Sequence, residues 1–189
     1  MGRHSWDRAK VRTVPLSAGD IRTAFDALSK ELAAAARDEQ AEFVVVGGAA
    51  LVLLYGARQT TKDVDAYFLK PAAAVVRDAA SRVADALELP RDWLNDGAKA
   101  YLVTVTEGPV LYESAALLVR APSIAQLLAM KLAAWRDEID RSDARLLLSQ
   151  LPGSLEDVRA LIEPLVLPYQ RDKASYALED LWESIHGTT

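Results

Sequence analysis

Three observations predict an α/β chain with a helical C-terminal portion. Short apolar, β-branched runs occur only in the first two-thirds of the 189 residues, and helical spacing fills the last third. The run Phe43-Val44-Val45-Val46 lacks polar alternation, which suits a strand buried on both faces in a sheet covered by helices.

The elements follow in order. Ser17-Ala-Gly-Asp20 has capping-box spacing and opens an amphipathic helix with apolar positions Ile21, Phe25, Leu28, Leu32 and Ala35. The strand at Phe43 is stopped by Gly47-Gly48, and Ala49 to Tyr55 reads as helix closed by Gly56. Asp63 to Leu69 alternates and predicts a second strand. Pro71 suits the first residue of a helix running to about Leu87. Pro90 to Gly97 is turn-rich, and short strands are expected around Tyr101–Thr106 and Ala115–Arg120. Pro122-Ser123 caps a helix through about Arg136. Asp140 or Ser142 starts another, which ends near Leu151-Pro152-Gly153. Ser154-Leu-Glu-Asp157 is a second capping box, and Asp172 to Ile185 is expected to be helical. The division is 1–121, an α/β core with its N-terminal helix, and 122–189, a helical portion, in one compact unit.

Composition narrows the functional classes. Hydrophobic residues make up 51% and charged residues 26%, a globular balance that argues against disorder. No apolar run approaches the roughly 20 residues of a membrane span, and the start, Met1 to Arg8, lacks the apolar core of a secretory signal. Without cysteine, disulfides, thiolate chemistry and cysteine-type zinc sites are excluded. A cytoplasmic protein is the simplest expectation. The net charge of −5 provides no general nucleic-acid coat, so an RNA or nucleotide partner would need a local basic patch.

The chemistry-bearing residues lie between positions 47 and 65. Residues two apart on a strand share a face, so Asp63 and Asp65 project together while Val64, Ala66 and Phe68 face the core. Adjacent carboxylates repel and are costly to desolvate, a cost a divalent cation removes. Mg²⁺ prefers one or two carboxylates, several waters and substrate phosphates. Taken alone, Asp63-Val64-Asp65 reads as an exposed strand with solvated acids, and Gly47-Gly48 as a tight strand–helix turn. Together they place a phosphate cradle, formed by glycine backbone and a helix N-terminus, beside a carboxylate pair at one sheet edge. No Walker-type or dinucleotide-type glycine motif is present, and His4 and His186 stand too near the ends to suggest Ser-His-Asp hydrolysis. Trp93 and Trp135 read as core or interface residues.

The stretch Val45 to Ala66, VVGGAALVLLYGARQTTKDVDA, resembles the nucleotidyltransferase-fold proteins of the polymerase-β superfamily, most of all the branch holding the AbiEii and MenT toxins of toxin–antitoxin systems. Leu127 to Arg136, centred on Lys131, resembles that branch's lysine helix. Asp143 resembles its later aspartate, and Asp92–Gly97 a further shared stretch. The matched motifs run from about residue 43 to 148. The implied fold is an α+β, nucleotidyltransferase-like mixed sheet flanked by helices.

The implied activity is Mg²⁺- or Mn²⁺-dependent transfer of a nucleoside monophosphate from an NTP to a hydroxyl, with a tRNA 3′ end as acceptor and a cognate antitoxin as partner. Asp63 and Asp65 would hold the metal. Gly47, Gly48, Arg58, Thr61 and Lys131 would bind the nucleotide, and Asp143 would orient Lys131 or assist the acceptor. Arg58, Thr61 and Lys131 read equally as surface or turn residues. The third metal carboxylate of many superfamily enzymes has no counterpart in Ala115–Arg120, and Glu113 is only a weak substitute. Two alternatives stay open: a small-molecule (aminoglycoside or lincosamide) nucleotidyltransferase, and a catalytically silent binding or regulatory module on the same fold.

Overall fold

The structure is a computed structural model that describes residues 15–35, 39–56 and 58–187. The stretch Met1 to Arg8, with His4, lies outside them.

Strand β1 (Leu16–Ser17) leads into helix α1 (Ala18–Ala34), and the capping box forms: Ser17 Oγ accepts from Asp20 N at 3.2 Å while Asp20 Oδ2 accepts from Ser17 N at 2.8 Å. The helix buries Ile21, Ala24, Phe25, Leu28 and Leu32, whereas Ala35 is its exposed C-cap. Next come β2 (Ala41–Val45), α2 (Gly47–Tyr55), β3 (Thr60–Thr61), β4 (Val64–Lys70), α3 (Ala73–Leu87), β5 (Leu94–Asn95), β6 (Val110–Glu113) and β7 (Leu117–Arg120). Four helices close the chain: α4 (Ile124–Ala134), α5 (Glu138–Leu148), α6 (Leu155–Ile162) and α7 (Arg171–His186).

Five strands form one mixed sheet in the order β5-β4-β2-β7-β6, and β1 pairs separately with β3. Central β2 is antiparallel to β4 and parallel to β7, and it is buried on both faces as its unbroken apolar run predicts. Phe43 and Val45 join the main core, where Phe43 meets Phe68 edge-on at 5.5 Å and Phe25 reaches Trp93 and Tyr112. Val44 and Val46 form a separate cluster with Ala98, beside Val105 and Met130 of α4. The fold is therefore the expected mixed α/β sheet with helices and a helical C-terminal portion.

Three local expectations are corrected. Tyr101–Thr106 is not a strand: residues 97–101 form a 3₁₀ turn and the next strand is β6. The backbone N–H and hydroxyl of Thr106 donate to Gln126 Oε1 at 2.8 and 2.6 Å, so a buried side chain of α4 satisfies this segment where a neighbouring strand would have. Pro71 does not open α3, because β4 continues past a register shift to pair Lys70 with Glu42, and the helix starts at Ala73. Finally, α5 begins at Glu138 because Asp137 is its N-cap, accepting from Asp140 N at 2.9 Å. Asp140 thus lies within the first turn and has its carboxylate free for other partners.

Candidate active site

Strand register brings the glycine pair to the acids. Val45 pairs with Ala66, and Val46 N donates to Asp65 O at 2.9 Å, so the residue after Val46 lands beside Asp65. That residue is Gly47, with φ +64°, a left-handed conformation costing other residues about 1–2 kcal/mol. A Cβ there would lie 3.4 Å from Asp65 Oδ2, and one on Gly48 would lie 2.8 Å from Thr61 Oγ1 and 3.2 Å from Arg58 Nη1. The two glycines are thus fixed by different needs, backbone conformation at Gly47 and space at Gly48. The N-cap Val46 supplies no side-chain cap to α2, which leaves its first-turn N–H groups without a capping side chain.

Asp63 immediately precedes β4 and Asp65 is its second residue, both half-buried. Burial and then the neighbouring Asp65 push the Asp63 carboxyl above its ordinary range, with Lys62 opposing. Thr61 lies in β3, and its hydroxyl donates to Asp63 O at 3.2 Å.

An ion-pair chain on α4 and α5 faces the glycines. Lys131 is only 8% exposed, and its Nζ lies 2.9 Å from Asp140 Oδ1 and 2.7 Å from Asp143 Oδ2. Asp143 also receives Arg58, whose Nε donates to Oδ1 at 2.9 Å and whose Nη2 pairs with Oδ2. Asp140 also receives Arg136, through Nε at 2.9 Å to Oδ2. Burial alone would raise the Asp140 carboxyl, but hydrogen bonds from Arg136 and Lys131 outweigh it and hold it at about 2. Burial lowers the Lys131 ammonium, with Asp140 opposing and Arg58 and Arg136 reinforcing. Three cations, Arg58, Lys131 and Arg136, meet the two carboxylates Asp140 and Asp143, and the Asp137 carboxylate also acts on both arginines.

A cavity of about 410 Å³ joins the two halves, lined by Gly47 and Asp65 on the sheet side and Lys131, Arg136, Asp140 and Lys173 on the helical side. Asp63, Gly48, Arg58, Thr61 and Asp143 are not among its lining residues. Arg58 turns to Asp143, and Asp143 turns to Lys131. Glu113 is aligned with Leu118 and so with Glu42 at the start of β2, away from Gly47. Trp93 is fully buried, its Nε1 donating to Ala80 O at 3.0 Å, and Trp135 stacks under Arg141 at 5.4 Å. His186 stacks on Trp182 at the end of α7.

Sequence reasoning missed Arg136, Asp140 and Lys173 as site residues. The Asp140-x-x-Asp143 spacing was a usable signal, since acids three apart share a helix face, here the one turned to Lys131. Lys173 carried no local signal: it reaches the cavity only because α7 packs against α4, where its Nζ donates to Ala134 O at 2.6 Å.

Among the described residues, no group of three or more histidine or acidic side chains is placed to hold a metal ion. Asp63 and Asp65 are two half-buried carboxylates at the start of β4, a donor set of the kind Mg²⁺ takes when phosphates and water supply the rest. The burial and the neighbouring Asp65 charge that raise the Asp63 carboxyl are both offset by a cation. No helix among the described residues is long and apolar enough to cross a membrane.

Comparison with curated proteins gave no match, and neither did comparison with solved structures. A family model described as "Nucleotidyltransferase of unknown function (DUF6036)" matches residues 23–185, spanning most of α1 through nearly all of α7. The chain, in which Gly47, Asp65 and Lys131 line one cavity, belongs to this nucleotidyltransferase family.

Proposed function

We propose that the protein transfers a nucleoside monophosphate from an NTP to an acceptor hydroxyl. The hydroxyl oxygen attacks the α-phosphorus, the bond to the β-phosphate bridge breaks, pyrophosphate leaves and the hydroxyl proton passes to solvent. The observation that carries this reading is that Asp65 and Lys131, from opposite halves of the chain, line one cavity with Gly47. Asp63 and Asp65 are the residues that would hold Mg²⁺ or Mn²⁺. When bound, such an ion neutralises phosphate charge and activates the α-phosphorus. The N–H groups of Gly47 and Gly48 at the α2 N-terminus suit phosphate oxygens, and Thr61 and Arg58 pack behind Gly48 and keep that turn in place. Lys131 presents its ammonium to the phosphates, positioned by Asp143.

For the acceptor, we propose a tRNA 3′ end, with the protein acting in the cytoplasm as a toxin restrained by a cognate antitoxin. The support is the resemblance of Val45–Ala66 and the cationic balance of the cavity, where Lys131, Arg136 and Lys173 face Asp65 and Asp140. That balance disfavours a cationic aminoglycoside acceptor. The two-member acid set favours a second reading, a silent nucleotide-binding module on the same fold. Incubation with Mg²⁺, each α-³²P-labelled NTP and total tRNA, beside Asp65→Ala, separates them. Label entering RNA with the wild type alone supports transfer. No label on RNA, on protein or on an aminoglycoside panel sinks the transferase reading and favours the module.

A further inference from the structure

We infer that Arg136, together with Lys131, forms a polyphosphate subsite at the helical end of the cavity and selects a triphosphate over shorter phosphates. The inference rests on the nucleotidyltransferase reading and extends it to a residue outside the glycine, acid and lysine motifs.

Arg136 sits in the turn between α4 and α5, its side chain 72% exposed and lining the cavity. It is nevertheless not loose. Nε donates to Asp140 Oδ2 at 2.9 Å and Nη2 to Oδ1 at 3.4 Å, while the backbone N–H of Arg136 donates to Oδ2 at 3.2 Å. Asp140 is itself almost fully buried and fixed by Lys131 and by the Asp137 cap, so a rigid carboxylate anchors the guanidinium. This arrangement uses the Nε and Nη2 edge and leaves Nη1 without a partner among the described residues. Lys131 likewise donates to Asp140 Oδ1 at 2.9 Å and lies 2.7 Å from Asp143 Oδ2. Both side chains line the cavity, held to the same buried carboxylate. The Asp65 carboxylate lines the same space.

An anion with several oxygens on adjoining groups, as in a β,γ-diphosphate, suits both donors. Its α-phosphate would then lie towards Asp65 and Gly47. A monophosphate held at the Asp65 end would not need Arg136. Exposure of the side chain means that replacing it leaves the core intact, and Asp140 keeps Lys131.

The test is calorimetric titration of the wild type, Arg136→Gln and Arg136→Lys with inorganic tripolyphosphate, with a non-hydrolysable NTP and with the matching NMP. Arg136→Gln is expected to weaken tripolyphosphate and NTP binding on the order of ten- to hundred-fold, the range for one charge-assisted contact, and to leave NMP binding unchanged. Arg136→Lys should recover part of the loss. Equal affinities in wild type and Arg136→Gln, or a loss that extends equally to NMP, overturn the subsite. Radiolabel transfer run alongside separates the two claims. Wild-type transfer with an unchanged NTP KM in Arg136→Gln refutes the subsite alone, whereas a wild type that neither transfers nor binds any phosphate refutes both.

Discussion

Replacing Asp140 with asparagine removes the carboxylate shared by Lys131 and Arg136 while keeping its shape. The folded protein holds this carboxyl at about 2 against an ordinary 3.8. Each pKa unit is worth about 1.4 kcal/mol, so the ionised form contributes roughly 2 kcal/mol at neutral pH. Breaking a fully buried ion pair costs about 3–5 kcal/mol, an upper bound here because Arg136 is mostly in solvent and Lys131 keeps Asp143 at 2.7 Å. After screening, Asp140→Asn is expected to lose about 1–2 kcal/mol in urea unfolding at neutral pH. The sign of its pH dependence follows from the depressed value. The contribution is fully present above the unfolded pKa and is lost as pH falls from about 4 towards 2, where the wild-type carboxyl also protonates. The gap between wild type and variant should shrink to roughly half by about pH 3. Equal stabilities at neutral pH, or a gap that stays constant on acidification, would refute the assignment of Asp140 as the anchor of the cluster.

Gly48→Ala forces a methyl to 2.8 Å from Thr61 Oγ1 and is expected to destabilise by about 1–3 kcal/mol in denaturant melts, whereas a neutral result would mean that Thr61 and Arg58 move aside freely. In an NMR titration Asp63 should ionise above 3.8 and shift downward in Asp65→Asn, because a like charge is then gone; no change on that substitution removes Asp65 as a cause. Trp93→Phe deletes a fully buried indole and its bond to Ala80 O, with an expected loss of about 1–3 kcal/mol by thermal unfolding; a wild-type melting temperature would contradict its core role.

The sheet-side half of the site was legible because it depends on local sequence. Gly47-Gly48 after an apolar strand and Asp63-Val64-Asp65 on the next one needed only strand pairing to meet, and antiparallel register supplied it through Val45 and Ala66. The helical half was less legible because its geometry is tertiary. Lys131 was visible through resemblance, but its partners depend on where α5 starts. Choosing Asp140 or Ser142 as that start hid the Asp137 cap, and with it the free carboxylate that anchors Arg136. The Tyr101–Thr106 segment was misread for a related reason. Its β-branched residues favour a strand, but Gln126, twenty residues on, takes up the Thr106 donors that a strand partner would have used. Arg58 looked like a phosphate ligand from its place beside the turn, and only the packed structure turns it towards Asp143.

The central claim is that Asp65 and Lys131 act on one nucleotide in one cavity. Calorimetric titration of Mg²⁺ with a non-hydrolysable NTP into wild type, Asp65→Asn and Lys131→Gln tests it most directly. Mg²⁺-dependent binding is expected of the wild type, with the Mg²⁺ dependence lost in Asp65→Asn and weaker NTP binding that keeps the Mg²⁺ dependence in Lys131→Gln. Binding that is indifferent to both substitutions, or a wild type that takes up no NTP with or without Mg²⁺, would contradict it.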